Sequence, residues 1–394
     1  MGRKEQRDMK NKVLLASTVS FLLLGSLIGG LTFFFLNKNN SDSPCLAYPF
    51  TVLPVDFTRI QSIIPLGNLN PPGHTFPTDH MYFYVNSSFS DGFEIYAPGN
   101  ITVTSISKIL YLPPQDNISE DFSLEFSVCS HLSGRFGHIN NLSRAILEVI
   151  GGFGEEYGDT VYEWEVAGRL YIGYFKKLDL TLQAGTLIGR AGYMGGYDFW
   201  LKDDRVNLDW VNNEWTEEFQ HTVCPLAYFT EDLQMQMKTK LRDWGGTPVE
   251  PVGYCGRIAF DVPNTAQGIW VRDGWANRPE DHGLALVYYN INASMGAISI
   301  GYALNSTWDS RVYLFSPKNS GFMNRNFSHI TNDGNSYYYY CKGFEYSTSY
   351  DKVILLKMDG TRGLYLQFID HCGSLLPNDP TILYNETSAI HYSR

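Results

Sequence analysis

From Val13 to Leu36 the chain runs 24 residues without a charged side chain, most of them Leu, Phe, Val, Ile, Gly or Ser. As a helix rising 1.5 Å per residue, such a run spans roughly 36 Å, enough to cross a hydrocarbon core of about 30 Å with some tilt. Arg3, Lys4, Arg7, Lys10 and Lys12 precede it, and only Lys38 follows closely. The positive-inside rule then expects a single-pass plasma-membrane protein with residues 1–12 cytoplasmic and the rest outside. A cleaved signal peptide is the competing reading. Its apolar region would be only about 7–15 residues long, and no small-x-small cleavage site follows Leu36.

Residues beyond the apolar run carry features suited to an oxidising exterior. Asn-x-Ser/Thr acceptors for N-linked glycans occur at Asn39, Asn86, Asn100, Asn117, Asn141, Asn292, Asn305, Asn326 and Asn385. Six cysteines (Cys45, Cys129, Cys224, Cys255, Cys341 and Cys372) all follow the run, an even number that favours disulfides. Sequence leaves their pairing open, and without a Cys-x-x-Cys a thiolate zinc site has little support. Residues 39–394 hold 24 Lys+Arg against 39 Asp+Glu, a net of −15 that disfavours nucleic acid as a partner.

The expected fold class is mostly β. A stalk at 37–50 leads into a β domain over 51–227, a helix and linker at 228–251, a second all-β domain over 252–375 and an exposed tail at 376–394. Short apolar-polar runs mark strands at Met81–Val85, Phe93–Tyr96, Ile101–Ile106, Phe122–Cys129, Val161–Glu165, Leu170–Tyr174 and Thr186–Ala191. A short helix fits Asn141–Val149. The longer one fits Tyr228–Trp244, with Thr230 as its cap, acids in its first turn, and Leu233, Met237 and Leu241 along one face. In the second domain the alternation continues at Ile258/Phe260/Val262, Ala285/Val287/Tyr289, Val312/Leu314, Val353/Leu355 and Leu364/Leu366/Phe368. Turns at Asn332-Asp-Gly and Met358-Asp-Gly suit hairpins.

The segment Gly73-His-Thr-Phe-Pro-Thr-Asp-His80 places two imidazoles and a carboxylate within seven residues, a donor set suited to zinc. His74 to Asp79 resembles the metal motif of the M23 (lysostaphin-like) metallopeptidases. Tyr96-Ala-Pro-Gly-Asn-Ile-Thr-Val-Thr104 is similar to that family's Ala-Pro-x-x-Gly-x-Val strand. Gln183-Ala-Gly-Thr-Leu-Ile-Gly-Arg-Ala-Gly192 is similar to the turn before its last ligand strand, and Phe136-Gly-His-Ile-Asn-Asn-Leu-Ser143 to the segment bearing an assisting histidine. The resemblance covers about residues 65–205 and implies a β-barrel sandwich. It also implies zinc held by His74, Asp79 or His80, and Asp198, with His138 as a catalytic proton carrier for cleavage of extracellular peptide or peptide-glycan polymers.

Two departures bear on that chemistry. His74 and Asp79 are five residues apart rather than four, and the family's His-x-His is absent, Asp198 being the only donor in Tyr193–Leu201. The alternative for 74–80 is a turn in which Pro77 fixes φ while Asp79 and His80 cap local backbone groups. For Asp198 it is capping, or pairing with Arg190 or Lys202; for His138, a structural hydrogen bond. Glu155/Glu156 and Asp203/Asp204 read as exposed loop charges rather than as a catalytic pair. Aromatic clusters at Trp200, Trp210 and Trp215, at Trp270, Trp275 and Trp308, and at Tyr337–Tyr340 suit half-buried strands or a polymer-binding face. The leading expectation is therefore a cell-surface protein whose M23-like domain is degenerate and binds an envelope polymer or a surface protein. A zinc hydrolase is the alternative.

Overall fold

The computed structural model describes residues 44–85, 92–115, 118–166, 169–193, 195–211, 219–274, 280–301, 310–341, 352–370 and 384–394. The expected membrane helix at 13–36 lies outside them, as do Cys372, Trp215, Trp275, Trp308 and the acceptors at Asn39, Asn86, Asn117 and Asn305. No helix among the described residues is long and apolar enough to cross a membrane.

The chain is mostly β, and residues 39–394 form one compact unit containing two antiparallel sheets. The first has ten strands: β1 (Ile60–Ile64), β2 (His80–Val85), β3 (Phe93–Tyr96), β4 (Ile101–Gln115), β5 (Ile118–Ser127), β6 (Leu132–Leu142), β7 (Thr160–Val166), β8 (Arg169–Leu182), β9 (Leu187–Ala191) and β10 (Gly196–Asp203). Their order is β1-β2-β10-β6-β5-β4-β8-β7, with β3 paired to β9, which also pairs with β6. On β10 the residues Tyr197, Phe199 and Leu201 point into an aromatic core with Phe83, Phe126 and Phe136. The period-2 alternation of a strand then turns Asp198 and Trp200 to the opposite face.

The second sheet comprises β11 (Gly268–Arg272), β12 (Gly283–Tyr289), β13 (Asn292–Ile300), β14 (Arg311–Phe315), β15 (Tyr337–Cys341), β16 (Lys352–Asp359), β17 (Gly363–Asp370) and β18 (Ile390–Ser393). It runs β14-β13-β12-β11-β18-β17-β16-β15 and nearly closes into a barrel. Trp270, Leu284, Leu286 and Ile298 fill its own core, whereas Ile269, Val271, Ala285, Val287 and Ala297 join the hydrophobic cluster of the first sheet. Strand β12 is thus buried on both faces, which is why Gly283-Leu-Ala-Leu-Val287 reads as a continuous apolar run rather than an alternating one.

Disulfides join Cys45 to Cys129 and Cys224 to Cys255. In the chain-entropy view, closing loops of 84 and 31 residues contributes about 4.5 and about 3.7 kcal/mol.

Several elements differ from the sequence expectation. The short helix α1 spans Arg144–Ile150, capped by the Ser143 hydroxyl. The longer helix α2 is only Glu231–Lys238, preceded by a 3-10 turn at Pro225–Tyr228, and Thr230 occupies its N-cap without a side-chain bond. It stops early because residues 240–242 pair with β1 instead: Ile63 N–H donates to the Lys240 carbonyl and Arg242 N–H to that of Ile63. Ile258, Phe260 and Val262 form no strand. Their loop is held by side chains, with the Asp261 carboxylate accepting from Ile269 and Val211 N–H groups and the Arg394 guanidinium donating to the Val262 carbonyl. Asn332-Asp-Gly lies between a 3-10 turn and β15, whereas Met358-Asp-Gly does close the β16–β17 hairpin. The expected tail at 376–394 contains β18, which sits between β11 and β17 with Tyr392 buried.

Candidate functional site

The site is built on the face of the first sheet that turns away from the aromatic core. Strand β10 lies between β2 and β6, with Trp200 opposite both His80 and Arg135, and Asp198 opposite both Tyr82 and Gly137. His80, Tyr82, Asp198, Trp200 and Arg135 therefore share one face, as pairs directly across a strand must.

Strict alternation would send His138 into the core behind Gly137. A bulge prevents this: Phe136 pairs with Leu124 and Ile139 with Phe122, so Gly137 and His138 together oppose Ser123. His138 takes φ +56°, the left-handed region that few non-glycine residues adopt. The extra residue restores the register, so that Phe136 and Ile139 are both buried while His138 reaches the site.

Carboxylates and imidazoles then alternate across the face. Asp79 Oδ1 lies 3.0 Å from His80 Nδ1 and accepts from the Trp200 indole N–H at 2.5 Å. His80 Nε2 is buried, lacks a hydrogen-bond partner and faces Asp198 Oδ2 at 3.8 Å. The same Asp198 oxygen is 3.2 Å from His138 Nε2, and His138 Nδ1 is 2.5 Å from Asp121 Oδ2, which also accepts from the Tyr111 hydroxyl at 2.7 Å. His74, on the loop before β2, meets the His80 ring edge-on with centroids 5.3 Å apart, and its Nδ1 lies 3.7 Å from Glu280.

Charge follows from these partners. Burial works against protonating His138, but the Asp198 carboxylate and the Asp121 hydrogen bond and charge outweigh it, and its pKa is raised to about 9. Burial likewise opposes charge on His74, yet Glu280 and then the more distant Asp198 and Asp79 raise it. Burial would push Asp79 up, but His80, Arg135 and Trp200 hold it below the usual carboxylate range. The phenol of Tyr82 is driven up by burial and by Asp198, so it stays protonated.

Two adjoining clefts open on this face. One, of about 570 Å³, is lined by His74, Asp79, His80, Glu125, Lys202 and Glu280 among others. The second, of about 390 Å³, takes in Asp121, His138, Asp198, Tyr162 and Trp164. Arg135 and Trp200 line both, the guanidinium stacked 3.9 Å from the indole centroid.

No protein family, curated protein or solved structure matches the chain.

Asp79, His80, His138 and Asp198 meet at this face and His74 reaches its edge from the loop; His138 makes the structural hydrogen bond expected as its alternative, to Asp121, whereas Asp79 and Asp198 are arranged otherwise than expected. Asp79 receives side-chain donors instead of capping local backbone, and Asp198 pairs with His138 rather than with Arg190 or Lys202; Arg190 lies 3.9 Å from Glu94. The zinc that the resemblance implies does not fit them. Among the described residues no three His, Cys, Asp or Glu side chains are placed to share a metal ion. Asp79 is committed to His80 and Trp200, both nitrogens of His138 face carboxylates, and His74 turns to Glu280, which leaves His80 Nε2 as the one orphaned donor of the cluster. Asp121, Tyr111, Arg135 and Glu280 were not foreseen. Alternation along β5 places Asp121 with Ser123 opposite the buried Phe122 and Leu124, but nothing in sequence says which partner strand it meets. Elsewhere, Asp203 is bound by Arg205 and Tyr228, and Trp270 is fully buried, so neither belongs to a site.

Proposed function

We propose that this is a cell-surface binding protein. In this reading residues 13–36 anchor it, residues 39–394 are displayed, and a degenerate M23-like cleft holds a segment of envelope polymer. The observation that carries the reading is the mutual satisfaction of the would-be catalytic donors. A hydrolytic metal centre keeps an open coordination position and ligands free to fill the others. Here the Trp200 indole N–H takes the Asp79 carboxylate, and Asp121 and Asp198 flank His138. A pair of clefts sharing an Arg–Trp stack suits an extended ligand passing over Trp200.

The test is retention of the full-length chain on insoluble envelope polymer prepared from the producing cells. Retention that Trp200→Ala weakens supports the reading. Retention on a particular surface protein, with none on the polymer, moves the partner to the other class, and cleavage of the polymer by the purified chain would overturn a binding role.

A further inference from the structure

The smaller cleft has a construction that the metallopeptidase resemblance does not explain. Its lining comes from six neighbouring strands, β10, β6, β5, β4, β8 and β7, so it is a trough across the sheet rather than a gap between loops. Strand β7 is an edge strand, and Tyr162 and Trp164, two residues apart, face the trough together while remaining 58% and 39% exposed. Exposed aromatics of this size are not placed by core packing.

Both tryptophans of the trough lie against glycines. A Cβ on Gly173 would come 2.9 Å from the Trp164 ring, and one on Gly137 would come 2.8 Å from the Trp200 ring. Tyr171 backs Trp164 in a parallel stack, with centroids 5.3 Å apart and planes 11° from parallel. Trp164 is thus held flat, with little conformational freedom left to lose on binding.

The polar part of the trough decides between ligand classes. Asp121 is buried and already held by His138 and Tyr111, so Asp198 and Arg135 are the charges the trough presents, and they are opposite in sign. A cationic ligand would meet aromatic faces that attract it, but a polar floor with no net charge to hold it. An anionic ligand fares no better. What remains is a neutral group with an apolar face and a rim of hydroxyls, which can stack on indole while donating to carboxylate and accepting from guanidinium, serine or imidazolium.

We propose that the trough between Trp164 and Trp200 is a subsite for a neutral sugar ring, stacked on Trp164 and hydrogen-bonded through its hydroxyls to Asp198 and Arg135. This rests on the binding reading above and names the chemistry of the polymer segment that the site takes.

The experiment uses the full-length chain and calorimetric titration with cellotetraose, mannotetraose and chitotetraose, each up to about 10 mM, with tetralysine as the cationic control. At least one neutral saccharide should bind. Trp164→Ala should weaken it by about tenfold or more. Gly173→Ala, which keeps the indole but pushes it off the strand, should do the same with an unchanged melting midpoint. Binding of tetralysine alone, or of no saccharide at all, overturns the proposal, as does saccharide binding that neither variant alters. If the chain is still retained on envelope polymer in such a case, the sugar assignment alone fails. If a saccharide binds with the expected Trp164 dependence but retention is absent, the envelope reading alone fails.

Discussion

Replacing Asp198 by Asn keeps the shape of the side chain while removing the charge that does most to hold the His138 proton. At 3.2 Å, a pair of unit charges is worth about 5 kcal/mol at an effective dielectric of 20 and about 1.3 kcal/mol in bulk water. The His138 side chain is 33% exposed and Asp198 is buried, so the pair lies between these limits. At about 1.36 kcal/mol per pKa unit, Asp198→Asn should lower the His138 pKa by at least about 1 unit. The assay is an NMR titration of the His138 ring proton in both proteins. In the wild type the midpoint should fall near 9. Because the folded pKa is raised, the stability it contributes is fully present below about pH 6.5 and is lost as the pH climbs through about 9. Chemical denaturation at pH 6 and pH 9.5 should therefore show a fall that Asp198→Asn diminishes. A wild-type midpoint near 6.5, or a variant midpoint still near 9, would refute the assignment of Asp198 as the partner charge.

Three further outcomes follow from the geometry. Trp200→Phe leaves the buried Asp79 carboxylate without its indole donor and should destabilise the chain by about 1–3 kcal/mol in urea unfolding. Tyr392→Ala opens a cavity beneath the central strand β18 and should cost about 3–5 kcal/mol, whereas a substitution in an exposed tail would stay within about 0.5 kcal/mol. Replacing Cys224 and Cys255 together by Ser should lower unfolding free energy by about 3–4 kcal/mol, measured against the wild type under non-reducing conditions.

Strands were the most legible part of the sequence, because sheets with one buried face impose alternation, and Phe93–Tyr96 is found at its expected bounds. Alternation misled at Ile258/Phe260/Val262, where the carboxylate of Asp261 and the guanidinium of Arg394 replace the hydrogen bonds of a ladder. Helix α2 fell short of its pattern because β1 captures residues 240–242, a contact 180 residues away in sequence that no local signal carries. At the site, His74, Asp79, His80, His138 and Asp198 could be named from sequence because imidazole and carboxylate are the side chains that do such chemistry. Their partners could not. Trp200 shares a face with Asp198 by simple parity, but its bond to Asp79 depends on β2 lying next to β10. The route by which His138 reaches the cleft depends on a one-residue bulge that changes the parity of β6, and the sequence around Gly137 does not announce it.

The geometry has these histidines and carboxylates serving one another rather than a metal. The most direct measurement is the zinc content of the full-length chain after equilibration with zinc and removal of the unbound metal. The expected content is far below one zinc per chain, unchanged by Asp198→Ala. About one zinc per chain, lost on Asp198→Ala or on His80→Ala, would contradict it.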